Sequence, residues 1–525
     1  MPSQLTATQD AATFDMNYTD APHLIGEKWR QVFNMRAVNS TLQQVPRKKE
    51  FTVVFNAKDL EALPFLLSEN RNFGYWLALE KKYLMLLKAS GLHGQLNDVA
   101  FVESDSRWST FVHNNALFFT NEHNQVRFVQ RSRIRELYHH KPAAVPIPAG
   151  RYVVVFFDHV VVGAPTYKGA VLRDRVMWSH LHDYATWDPA SGNEADGYVC
   201  TEYQRDDDQV FGVTGLALWK NLCMVYTAST IYVMRYTGLP RVVRCDPLVT
   251  GFGNGLLYGV ASLDDAYAFV DTQHRDFYML VGGQIQSFGR GIKDYFFNDL
   301  NTNFALRQKT FTYVDRTVQE VVWTYVSSAS SGAYDKAVAF NFGNKTWSVR
   351  SVNATTGYGV YGPRCQMCDE LAGTNNALTG TIDDLGASAD AAQGSVWGTS
   401  TQRVIVDAAP TDNVLLTQTT PFLETRDIVF DDLKRLKETS EMLLHCTADL
   451  YNGVEVHISV RKNLAEPVAY TPVGVWAETL KEGELTFTPK AGRIARYMFR
   501  AAGSEVRNWR FMAFVDGVVM AGATR

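Results

Sequence analysis

The stretch Gly255–Leu300 constrains the fold more than any other. It holds four short apolar runs in succession: Leu256–Ala261, Ala266–Asp271, Asp276–Val281 and Gln284–Phe288. Turn residues separate them, Leu263-Asp264-Asp265, then Gln273-His274-Arg275, then Gly282-Gly283. Each run has strand length and carries β-branched or aromatic residues. Four antiparallel strands joined by tight turns make one meander, the unit that a β-propeller repeats about an axis. A helix signal then closes the unit, with Ile292, Tyr295, Phe296 and Leu300 on one face. What separates a blade from any other meander is a second unit of the same size directly after it. Thr310–Ser351 is that unit, with runs at Thr310–Asp315, Glu320–Val326, Lys336–Asn341 and Thr346–Ser351 and a turn at Gly343-Asn344.

The rest of the chain agrees with an all-β reading. Hydrophobic residues make up 46% and charged residues 20%, a folded composition and not a disordered one. The net charge of −4 is close to balance, which argues against a strongly basic nucleic-acid binder. Six cysteines, Cys200, Cys223, Cys245, Cys365, Cys368 and Cys446, are few and scattered, the usage of a reduced compartment. The N-terminal residues show neither the basic flank nor the apolar run of a signal peptide, and no apolar run has the length of a membrane span.

Residues 1–50 are polar and read as an extended arm, with Leu24, Ile25, Trp29, Val32 and Phe33 as possible anchors on a partner. Between Phe51 and Leu92 a helix and a hairpin compete; a hairpin turning at Glu80-Lys81-Lys82 is favoured, because everything downstream is β. Strand pairs recur from Ala100 at roughly 40-residue spacing, without a repeated Trp-Asp signature. A long polar loop, HLHDYATWDPASGNEADGY, follows the strand Arg175–Ser179, a place where function or contacts usually lie. The Gly- and Ala-rich stretch within Asn353–Asp407 reads as a long exposed loop between strands. Near Gln418 a different domain begins. Val454, Val456, Ile458 and Val460 alternate with polar residues just after Asn452-Gly453, the strongest short hairpin signal. The expectation is a six-bladed β-propeller over residues 51–417 and a C-terminal antiparallel β-sheet or sandwich over 418–525.

Signals for catalysis are weak. Cys365-Gln366-Met367-Cys368 has metal-ligand spacing, but the nearest further candidates, His445 and Cys446, are adjacent and point opposite ways in a strand. His180, His182 and Asp183 resemble a ligand set with no matching carboxylate cluster after it. Asp206-Asp207-Asp208, Asp264-Asp265 and Asp431-Asp432 are runs of neighbours, which usually mark solvated loops. Phosphate-loop, dinucleotide and nucleophile-elbow patterns are absent. The reading is therefore of a protein that is not an enzyme and needs no cofactor or metal.

Several phrases resemble the β-propeller tail nozzle or tail-hub proteins of short-tailed bacteriophages, also called DNA stabilisation or tail tubular proteins. They are RWSTFVHNNALFFTN at Arg107–Asn121, RVMWSHLHDYATWD at Arg175–Asp188, VTGLALWKNLCMVYTASTIYVMRYTG at Val213–Gly238, DFYMLVGGQIQSFGRGIKDYFFNDLN within the opening stretch, and AYDKAVAFNFGNKTWSVR at Ala333–Arg350. Each alone is a generic strand pair; their order and spacing carry the resemblance. It implies a structural virion protein, assembled in the host bacterial cytoplasm into a homohexameric ring at the distal end of the tail. The ring would surround the DNA-exit channel and contact a portal-adaptor protein and tail fibres or spikes. DNA would pass without tight binding, which makes Asp206, Asp207, Asp208, Asp264 and Asp265 candidates for the channel lining, since acidic groups repel phosphate. The rival reading is a propeller that binds or cleaves host-surface glycan, with Trp178, Trp187 and Tyr198 stacking on sugars.

Overall fold

The structure is a computed structural model. It describes residues 4–10, 16–21, 28–38, 41–46, 48–53, 60–62, 76–80, 84–87, 93–95, 101–102, 106–114, 116–130, 133–136, 146–189, 194–200, 212–238, 242–263, 265–316, 318–352, 356–360, 394–398, 403–407, 420–429, 437–449, 453–476, 484–502 and 507–520.

The chain is mostly β, a propeller-like arrangement of small antiparallel sheets joined to a larger mixed sheet. Four-stranded units, called blades below, follow one another along the chain. Blade 1 begins at Leu60–Ala62, blade 2 at Ser109–His113, blade 3 at Ala149–Phe156 and blade 4 at Val213–Trp219. Blade 5 begins at Ala261–Ser262, blade 6 at Thr310–Asp315 and blade 7 at Thr356–Val360. The first strands of blades 2 and 3, 3 and 4, 5 and 6, and 6 and 7 pack side by side, and the first strand of blade 7 returns against that of blade 1. Separate apolar clusters glue the neighbours. Phe118, Val153 and Val160 join blades 2 and 3; Val154, Val161 and Val225 join blades 3 and 4; Tyr226, Tyr267 and Phe269 join blades 4 and 5.

The sequence leads to six blades, whereas seven such units follow one another among the described residues: five four-stranded sheets, one five-stranded sheet (blade 3) and the four strands of blade 6 within a larger sheet. The difference comes from the N-terminal part. Trp76–Glu80 and Leu84–Leu87 do form the favoured hairpin, and it lies inside a complete unit ending at His93–Gln95. Blade 7 takes only three strands from its own stretch; its fourth is Lys48–Val53, paired antiparallel with Arg403–Asp407. Local periodicity has no access to a strand pair formed across so much intervening chain.

The expected arm is likewise woven into sheets of its own chain. Gln31–Phe33 pairs antiparallel with Phe422–Glu424 and touches the outer strand of blade 6 in parallel, Phe33 opposite Val349. Through that strand the sheet of blade 6 runs on into Phe422–Glu424, Ile494–Ala501, Val454–Arg461 and Thr471–Trp476, ten strands in all. Asn34 locks the junction: its side-chain oxygen accepts from the Ser351 backbone N–H at 2.9 Å. A second sheet holds Met35–Val38, Thr41–Gln44, Arg507–Met520, Lys437–Asp449 and Glu484–Gly492, with Gln4–Asp10 on the far side of Arg507–Met520. Val454, Val456 and Ile458 are fully buried, as their alternation requires. One apolar cluster runs from Phe277 of blade 5 through Trp323 and Trp347 of blade 6 to Trp29, Phe499 and Trp509 between these two sheets.

Candidate functional site

The first run of the opening stretch departs from expectation. Only Ala261–Ser262 forms a strand there; Leu256–Val260 is a partly buried crossing loop. Leu256 is fully buried and Leu257, Tyr258 and Val260 are half-buried, all without strand pairing, a case that apolar runs alone cannot distinguish from a strand. Asn254 holds the loop by donating its amide to the Thr214 and Leu256 carbonyls. Gly255 is required by space, since a Cβ there would stand 1.9 Å from the Thr272 Oγ1. Tyr258, in the left-handed region at φ 56°, is thereby carried inward between the first strands of several blades.

There it ties neighbouring blades together. The Tyr258 hydroxyl donates to the Arg107 carbonyl at 3.0 Å, and its backbone N–H points at the Tyr152 hydroxyl, 3.4 Å away. The Tyr258 and Tyr152 rings lie 5.1 Å apart. The Arg107 guanidinium sits over the Phe311 ring of blade 6 at 4.5 Å and over Tyr258 at 5.7 Å, close enough for cation–π attraction. Burial pushes the phenols of Tyr258 and Tyr152 well above their usual range, so both remain hydroxyl donors. Four side chains in or just before blades 2, 3, 5 and 6 thus meet.

Turns between first and second strands, and between third and fourth, lie at one end of an antiparallel meander, so they share one face of the ring. Asp265, the described member of its acidic pair, is on this face between the first two strands of blade 5. It is 83% exposed and stands 3.7 Å from Lys220, in the corresponding turn of blade 4. The structure therefore gives this carboxylate a cationic neighbour. Asp206, Asp207, Asp208 and Asp264 lie outside the described residues, as do Cys365 and Cys368.

The long loop after Arg175–Trp178 is largely an anchor. Trp187 is fully buried between blades 2 and 3, and Tyr184 packs edge-on against Phe118 of blade 2. Trp178 is also buried, and its indole N–H donates to the Glu194 carbonyl at 3.0 Å. Neither tryptophan presents a ring to a sugar; Tyr198, half-buried, packs edge-on against Tyr232. Asp183 is spent on its own turn, accepting from the Ala185 N–H and the Thr186 hydroxyl. His180 Nδ1 accepts from the Glu194 N–H. No group of three or more His, Cys, Asp or Glu arranged to hold a metal ion occurs among the described residues. No helix among them is long and apolar enough to cross a membrane.

No family model matches the chain, and no curated protein does either. Solved structures similar to it include the WD40 β-propeller domain of Doa1, at 9% identity over 68% of this chain and 96% of that one, with a TM-score of 0.38. The Neurospora crassa Pan2 WD40 domain is 6% identical over 72% of this chain and 99% of that one, with a TM-score of 0.38. A chain of a mitotic checkpoint complex is 10% identical over 62% of this chain and 90% of that one, with a TM-score of 0.36.

Proposed function

We propose that this chain is a structural subunit of the distal tail ring, the nozzle or hub, of a short-tailed bacteriophage. In this reading copies of the chain, six to a ring, surround the channel through which DNA leaves. A portal-adaptor protein lies on one side and fibres or spikes are attached nearby. The observation that carries the reading is the ten-stranded sheet that makes blade 6 and the C-terminal strands one body through Phe33 and Val349. A shared sheet and a shared core resist hinge motion, the property wanted of a spacer that transmits load along a tail. In this reading the channel is bounded by several copies of the chain and does not run through one chain's own propeller. The phrases that resemble nozzle proteins fall along blades 2 to 6, in chain order, on strands, their connecting turns, the long loop after Trp178 and the helix Lys293–Asp299. A closed ring gives the long turns of both faces neighbours to contact. Electron microscopy of phage particles carrying this chain is the test. A six-fold ring on the tail axis is expected; one copy per particle, a peripheral trimer, or absence from the tail would overturn the proposal.

A further inference from the structure

Blade 3 turns between its first two strands with only Phe157 and Asp158, Phe156 standing opposite His159. Both turn residues are left-handed, at φ 47° and 57°. Two-residue hairpin turns of this kind call for Asn-Gly or Gly-Gly. The same chain uses Gly282-Gly283 for one, at φ 58° and 86°. A phenylalanine in this conformation is a backbone outlier whose cost the fold must absorb. Nor is the ring placed there to be buried, since Phe157 is 43% exposed. It stacks on Tyr236 of blade 4, 39% exposed, with centroids 4.9 Å apart and planes at 26°. Beside the pair, Asp158 Oδ1 is held by His113 Nε2 of blade 2 at 2.9 Å, while Oδ2 lies 4.0 Å from Nδ1 of the exposed His182, beyond hydrogen-bond reach. Asn114 adds an amide 2.9 Å from His113.

We propose that this patch, where the turns of blades 2, 3 and 4 converge, binds a saccharide. A pyranose has an apolar C–H face that lies flat on an aromatic ring and an edge of hydroxyls that pair with carboxylates, imidazoles and amides. Here the ring surface that Phe157 and Tyr236 leave exposed outside their mutual stack offers the apolar platform, and the gap between Asp158 Oδ2 and His182 offers an acceptor and a donor that one hydroxyl can bridge. A protein partner is the poorer fit. A stable interface has an apolar core set in about 800 Å² per partner, while these two rings are bordered at once by a carboxylate, two imidazoles and an amide. The inference does not depend on the tail-ring reading, because it concerns a surface of the single chain.

The experiment is saturation-transfer NMR and calorimetry on the full chain with tetrasaccharides of glucose, galactose, mannose and N-acetylglucosamine. Three variants accompany it: F157N, which installs a residue that the turn favours, D158N, which keeps a residue tolerant of positive φ, and Y236A. At least one saccharide is expected to bind, with F157N and Y236A each weakening it at least tenfold and D158N severalfold. F157N should keep or raise the unfolding midpoint, which separates lost binding from lost structure. No transfer from any saccharide at 10 mM, or transfer unchanged in F157N and Y236A, overturns the proposal. So does a patch that instead governs self-association, seen as a sedimentation coefficient changed by F157N with no saccharide bound.

Discussion

The Tyr258 hydroxyl donates to the carbonyl of Arg107, a residue 151 positions away, and the two sit where the first strands of the blades meet. Tyr258→Phe should remove one hydrogen bond and cost about 1 kcal/mol. Tyr258→Ala should also remove the ring's contacts with Tyr152 and Arg107 and cost about 2 kcal/mol, less than a fully buried ring because this one is half-buried. Urea midpoints of the two variants check this. Equal loss in both would mean that the ring contributes nothing beyond its hydroxyl.

Tyr152, Tyr226, Tyr258 and Tyr325 all have phenols pushed upward, with burial the largest cause in each. The unfolded chain releases these protons near the ordinary tyrosine value of about 10 while the folded chain keeps them. The folded state then binds more protons, so stability falls as pH rises. The stabilisation is complete below pH about 10 and is lost progressively above it. Urea midpoints between pH 8 and 11, followed with phenolate absorbance, should show the decline together with the withheld ionisation. A flat midpoint over that range would refute it.

Asp427 is the shared partner of two buried arginines in the C-terminal sheet. Arg461 bonds to it, Arg496 Nε donates to its Oδ1 at 2.8 Å, and Arg496 also reaches Glu424 at 3.1 Å. Asp427→Asn leaves two guanidinium groups buried against one carboxylate and should cost about 3–5 kcal/mol. Because this sheet continues into blade 6, thermal unfolding should remain a single transition at a lower midpoint. Two separated transitions in the variant would show that the C-terminal sheet melts alone.

Burial pushes the Cys446 thiol up to about 12, and those of Cys223 and Cys245 upward as well. The thiolate is the reactive form, so none of the three should be alkylated by iodoacetamide in native protein at pH 8. All three should label once the chain is unfolded. Peptide mass mapping gives the answer residue by residue, and rapid native labelling of Cys223 would contradict the packing between blades 3 and 4.

Asp265→Lys tests the channel reading at the described member of the acidic set. The carboxylate and Lys220 are both exposed, so stability should change by no more than about 0.5 kcal/mol. If the turn faces passing DNA, a second lysine beside Lys220 adds a salt-sensitive hold on phosphate. Genome release from assembled particles should then slow, and recover with added salt. Unchanged release would move this turn away from the channel.

Several features could be read directly from residue order. The four strands of blade 6 occupy almost the bounds that their apolar runs mark, because each run is bracketed by turn residues and pairs with its neighbour in sequence. The alternation at Val454–Ile458 is legible for the same reason: one face is buried, and period two records it; beyond it Ser459 and Arg461 are the buried residues and Val460 is half-buried. Even there the turn chemistry differs in detail. Gly343 has no left-handed backbone to explain it, and the left-handed residue of that turn is Lys345 at φ 58°.

Pairings between distant parts of the chain are what only the tertiary structure decided. Lys48–Val53 completes blade 7, Gln31–Phe33 bridges blade 6 to the C-terminal sheet, and Leu256–Tyr258 forms a crossing loop where its composition reads as a strand. The same holds for Phe157 and Tyr236, which meet because two blades pack side by side. It holds also for Trp178 and Trp187, which look like ligand aromatics in sequence and are buried in the fold. Strand propensity and turn chemistry are local energies, written in the order of residues. Which apolar face covers which other, and which ring is left in solvent, depends on the closure of the whole chain upon itself.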